Sequence, residues 1–166
     1  MILTGEPAGT VATRHAGLAG FRATLEWMET HTSPPSCLPV PGPAFRHDLV
    51  ESLSPCGTVL EVRGTLMAPT ERGLGAALDL VMRRVCDVAA VSGAVLEMRA
   101  VRERPPRPVR PDLVQALAVD LWRAGFPVRF APCWDPNAPA GPALGARGGE
   151  EGLREFLRDH PRWSLS

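Results

Sequence analysis

Two eight-residue segments set the frame into which the rest of the chain must fit. Gly57-Thr58-Val59-Leu60-Glu61-Val62-Arg63-Gly64 and Gly93-Ala94-Val95-Leu96-Glu97-Met98-Arg99-Ala100 share the pattern G-x-V-L-E-apolar-R-small, offset by 36 positions (57 to 93). Apolar and charged residues alternate within each, and period-two alternation behind a glycine is the signature of a strand. A helical pattern follows each one. After the first, Leu74, Leu78, Val81, Val85 and Val88 fall on one helix face, with Thr70 placed to cap the N-terminus. After the second, Pro111 and Asp112 open a helix through Leu113, Leu117 and Leu121, closed by Gly125.

The remaining segments extend this alternation. Residues 126–131 read as a third strand and 150–160 as a final helix with Leu153, Phe156 and Leu157 apolar. Upstream, 9–14 reads as a strand and 18–30 as a helix presenting Leu18, Phe21, Leu25 and Met28. A short helix is expected around 47–53. The fold class predicted is α/β: a two-layer β-α-β-α-β-α sandwich with mainly parallel strands joined by right-handed crossovers. Helices cover one face, and an extra β-α segment stands at the N-terminus. A mass of 17.8 kDa fits a single domain. It is organised as a β-α segment (1–31), a Pro-rich linker (32–45) and a β-α core (46–166). The alternating strands place Glu61, Arg63, Glu97, Arg99 and Arg129 on the face opposite the helices.

Composition removes several chemistries. All 18 strongly basic residues are arginine. Without lysine there is no Schiff-base enzyme and no Walker P-loop. Tyrosine is absent too. The formal net charge of +0 argues against a nucleic-acid partner. No apolar run approaches the ~20 residues of a membrane span, and the N-terminus lacks the pattern of a secretory leader. Cys37, Cys56, Cys86 and Cys133 show no zinc-type pairing. A cytoplasmic, reduced protein is expected, with no metal, no cofactor and no catalytic set assigned.

The segment from Arg99 to Pro111 holds five arginines against one glutamate and reads as the loop between the second strand and its helix. Ligands of parallel α/β sheets bind beyond the carboxyl ends of the strands, and arginine forks and helix N-termini favour anions. The candidate binding residues are therefore Arg102, Arg104, Arg107, Arg110, Thr70, Arg72, Trp134 and Asp135. Two functions follow from them. The first is a non-catalytic regulatory or interaction domain that binds a protein partner through the Arg/Pro loop or the charged sheet face. The alternative is a small enzyme or sensor that binds a phosphate or carboxylate at the strand ends. Trp122 is assigned to packing and Trp134 to a surface anchor. Cys133 follows the third strand, where nucleophiles sit, but no histidine is near it in sequence. Gly145-x-x-Gly148-Gly149 reads as a turn or an anion cradle.

From Val59–Thr70 through the two helices to Gly125-Phe126-Pro127-Val128, the order of elements resembles STAS domains, the regulatory α/β modules of anti-sigma-antagonist proteins and anion transporters. The resemblance covers residues 57–131. The Asp-Ser-Ser-Gly phosphorylation loop of that family is missing, and the Arg/Pro segment stands in its place, so no phospho-switch carries over.

Overall fold

The computed structural model describes residues 1–30, 34–40, 42, 44–138 and 141–163. In chain order the strands and helices are β1 (Ile2–Pro7), β2 (Thr10–His15), β3 (Gly17–Glu26), β4 (Arg46–His47), β5 (Val50–Leu53), β6 (Val59–Ala68), α1 (Glu71–Ser92), β7 (Val95–Arg104), β8 (Arg107–Pro108), α2 (Pro111–Arg123), β9 (Arg129–Cys133), β10 (Ala143–Arg147) and α3 (Glu150–Asp159). A 3-10 turn, Pro161–Trp163, ends the described chain. Contacts divide it into two compact units, Met1–Ala16 with Pro106–Ser166, and Gly17–Pro105.

In the second unit β3 pairs antiparallel with β6 on one side and β7 on the other. β4 and β5 both pair along β6. Thr70 caps α1 as the sequence predicts, the Gly73 amide donating to its Oγ1 at 3.0 Å, and Gly93 at φ 69° closes the helix. Leu74, Val81 and Val85 of α1 pack on Leu25, Val62 and Leu66 of the sheet, all fully buried. This layer carries the split β-α-β arrangement: β6 and β7 run parallel to each other with β3 between them.

The other unit has a mixed sheet. β1 runs parallel to β10, β10 antiparallel to β2, and β2 parallel to β9 and antiparallel to β8. Its core joins Val11 and Leu144 to Leu117 and Leu121 of α2, Leu153 and Phe156 of α3, and Trp163. The Asp120 carboxylate is buried beneath this layer and accepts from Trp163 Nε1 at 2.7 Å and Arg162 Nε at 3.0 Å.

The predicted parallel β-α-β-α-β-α sandwich is overturned: the sheets are antiparallel and mixed, and the described residues hold three α-helices. The decisive error is at 18–30. Leu18, Phe21, Leu25 and Met28 carry a helical period, but Ala19, Phe21, Ala23 and Leu25 carry a strand period, and the structure takes the second. Alanine hides the alternation because it is small, while Gly17 and Gly20 disfavour a helix. Met28 is 95% exposed. The helix expected at 47–53 is replaced by β4 and β5, edge segments completed by β6.

With β3 inserted, β6 and β7 are not neighbours, and the resemblance to STAS domains fails with the parallel sheet it implied. Arg129 lies in the mixed sheet of the first unit, apart from Glu61, Arg63, Glu97 and Arg99. The third strand begins at Arg129 rather than Phe126. Gly145 is no cradle. It stands inside β10, where a Cβ would lie 2.2 Å from the Pro7 carbonyl oxygen, so β1 approaches only glycine.

Candidate functional site

The eight candidate residues divide between the units. Thr70, Arg72, Arg102 and Arg104 belong to Gly17–Pro105, and Arg107, Arg110, Trp134 and Asp135 to the other unit. Arg102 and Arg104 are not in a loop: β7 runs through Arg104. Exposure of its last residues hid the strand, because charged side chains on an edge strand leave no apolar alternation to read.

Several of these side chains are already engaged. Thr70 Oγ1 holds the helix cap, and Arg102 Nη1 lies 3.4 Å from Glu71 Oε2 in an exposed pair. Arg110 clamps Asp112 with both arms, Nε to Oδ1 at 3.1 Å and Nη2 to Oδ2 at 2.6 Å. The hydrogen bonds from Arg110 hold the Asp112 carboxyl below its ordinary range. Asp135 turns the chain after β9: the Asn137 amide donates to its Oδ1 at 2.8 Å. Arg72 is exposed on the first turn of α1, and Trp134 is half-buried.

Arg107 is different. It is exposed and has no ion-pair partner among the described residues. Its register partner across β8 and β2 is His15, and the register partner of His15 across β2 and β9 is Cys133. Arg107, His15 and Cys133 therefore form one row over three strands, with neighbouring Cα atoms about 5 Å apart. His15 and Cys133 are the last residues of two parallel strands, β2 and β9.

His15 is 4% exposed and Cys133 2%. The His15 Nε2 lies 2.7 Å from the Gly141 carbonyl oxygen. A carbonyl only accepts, so Nε2 carries the proton and, in the neutral ring, Nδ1 keeps a lone pair. That Nδ1 is buried without a hydrogen-bond partner. Sequence reasoning assigned no role to His15, because Cys133 lies 118 positions away (15 to 133). The pairing of two strands from opposite ends of the chain brings them together.

In the same unit, α2 and the sheet flank an open apolar groove of about 470 Å³ lined by Val109, Val114, Val119, Trp122, Val128 and Phe130. Trp122 is not core packing as the sequence suggested; it is 73% exposed, and Phe130 60%. No group of three or more His, Cys, Asp or Glu gathers among the described residues to hold a metal ion. No helix of the described residues is long and apolar enough to cross a membrane.

No family model and no curated protein matches the sequence. Solved structures do match the fold. An amidase of the hydantoinase/carbamoylase family from Burkholderia multivorans is 15% identical, with a TM-score of 0.66 over 81% of this chain and 42% of its own. A hydantoinase/carbamoylase family amidase from Burkholderia phymatum is 11% identical, with a TM-score of 0.69 over 92% of this chain and 48% of its own. Aminopeptidase PepT from Bacillus cereus ATCC 10987 is 9% identical, with a TM-score of 0.63 over 92% and 52%. The chain has the fold of part of these hydrolases and spans about half their length or less.

Proposed function

We propose that this chain is a hydrolase-fold domain that binds a small carboxylate-bearing molecule at the carboxyl ends of β2 and β9. The row of Arg107, His15 and Cys133 carries this reading. Arg107 supplies an unengaged guanidinium, whose fork matches a carboxylate. The His15 Nδ1 lone pair is buried without a partner, and a ligand N–H or O–H brought against it would satisfy it in a bond worth more than in water. Two further structures of the same fold, of AtUAH, hold glyoxylate and (S)-hydroxyglycine, both carboxylate-bearing, at 10% identity and TM-scores of 0.62 and 0.63. They support the ligand class. The cysteines form no disulfide, which favours a reducing, cytoplasmic setting.

Thermal denaturation with glyoxylate, other short carboxylates and inorganic phosphate tests the reading. A ligand at a hundred times its Kd stabilises by ~2.7 kcal/mol. Carboxylates should raise Tm in the native chain and not in R107A. An unchanged Tm across the series, or an equal rise in R107A, would overturn it.

The groove beside α2 favours a second reading, a protein partner that seats an apolar segment against Trp122 and Phe130. Exposed apolar surface of this kind marks interaction sites. W122A should then abolish that docking while R107A leaves it intact.

A further inference from the structure

The two repeated segments found in the sequence become β6 and β7, and both are antiparallel to β3. Their shared offset lands them on the same β3 residues. Arg63 and Arg99 both register with Arg22, and Glu61 and Glu97 both register with Thr24. The sheet face away from α1 thus presents a row Arg63-Arg22-Arg99 beside a row Glu61-Thr24-Glu97. Like charges directly opposite each other destabilise a sheet, and only one of the three guanidiniums is relieved. Arg22 Nε donates to Glu61 Oε1 at 3.1 Å. Arg63, Arg99 and Glu97 have no ion-pair partner among the described residues. A cavity of about 260 Å³ opens between the rows, lined by Arg22, Thr24, Glu97, Met98 and Arg99.

We propose that this cavity binds a small phosphate ester carrying hydroxyl groups, independently of the strand-end row in the other unit. Guanidiniums on adjacent strands offer paired N–H donors to the oxygens of one phosphate, the geometry in which arginine binds it most strongly. Phosphate also supplies the charge that the row of three cations lacks. A bare phosphate cannot complete the site, because Glu97 only accepts and repels a second anion. The part of the ligand over Glu97 and Thr24 must donate, and hydroxyls do so without a charge of their own. A cavity of about 260 Å³ has room for more than a single water or a bare ion.

Isothermal titration of the full chain with ribose 5-phosphate, inorganic phosphate and ribose tests this. The ester should bind at least tenfold more tightly than phosphate, and ribose should not bind. R99A should weaken the ester at least tenfold. E97Q should narrow the gap between ester and phosphate, since an amide no longer repels the anion and accepts hydroxyls less strongly. R107A should change none of these values, which separates this site from the strand-end row. Both altered side chains are exposed, so the variants keep their fold, and circular dichroism checks it. Equal affinity for ester and phosphate, no binding at millimolar concentration, or an ester affinity unchanged in R99A overturns the proposal.

Discussion

The buried carboxylate of Asp120 ties α2 to the turn that ends the described chain, and its removal can be worked through quantitatively. Its side chain is 7% exposed, whereas that of Arg162 is 59% exposed. The Trp163 Nε1 bond at 2.7 Å is buried, and a hydrogen bond to a charged acceptor contributes ~1.5–3 kcal/mol. Arg162 adds at most ~1 kcal/mol, because solvent screens its exposed guanidinium. D120A should therefore destabilise by ~2–4 kcal/mol, and D120N by less, since its amide oxygen still accepts from the indole. At ~2–4 °C per kcal/mol for a chain of this size, the alanine variant should melt ~5–15 °C lower. Burial alone would push the Asp120 carboxyl up, but hydrogen bonds from Arg162 and Trp163, with the charge of Arg162, outweigh it and hold the carboxyl below its ordinary 3.8. A depressed carboxyl stabilises fully above its unfolded value and loses that contribution as pH falls through the folded one. The gap between native chain and D120N should thus be constant from neutral pH to about 4 and close below it. Denaturant titrations across pH measure this. A D120A chain within ~0.5 kcal/mol of the native one, or a gap that widens in acid, would refute the reasoning.

Cys56 should be the reactive thiol: hydrogen bonds from Ser54 and Thr58 lower it to about 7, so iodoacetamide labelling should have its midpoint near there and T58V should move it upward. Cys37 should resist labelling at that pH, because burial and the nearby charge of Glu51 raise it to about 11. Gly9 turns β1 into β2 at φ 80° with its Cβ position 2.0 Å from the Pro127 carbonyl oxygen, so G9A should cost more than ~2 kcal/mol by chemical denaturation. W163A should cost ~3–5 kcal/mol and W122A within ~0.5 kcal/mol, because only the first empties a core.

What the sequence made legible was wherever period and punctuation agreed. α1 has a cap, a stripe and a terminal glycine, and it forms as read. β6 and the start of β7 alternate cleanly and form as read. β3 misled because both periods fit it, and only pairing on both sides decided between them. β10 escaped because Ala143-Leu144-Gly145-Ala146-Arg147 has no β-branched residue; burial between β1 and β2 makes it a strand. The candidate site was half legible. The arginines announced an anion, but Arg110 and Arg102 proved to be engaged with acids. His15 and Arg22, which complete the two rows, belong to strands whose partners lie far away in sequence.

The coincidence of the repeats on β3 has a mechanical cause. β6 has 10 residues and α1 has 22. A strand rises ~3.3 Å per residue and a helix 1.5 Å, so each spans ~33 Å. The helix therefore returns the chain to the level at which β6 began, and β7 starts in the register of β6. Equivalent residues of the two segments then meet the same residue of β3 whatever their chemistry. This geometry explains why Arg63 and Arg99 share a row, but it does not explain why both are arginine. Exchanging either for a neutral residue would relieve a like-charge pair at no cost to the core, since both are exposed. R99Q should accordingly leave the fold as stable as before or slightly more so. A stability loss in R99Q would mean that the row is held together by contacts within the sheet. A neutral or positive change would show that the fold does not require the third cation.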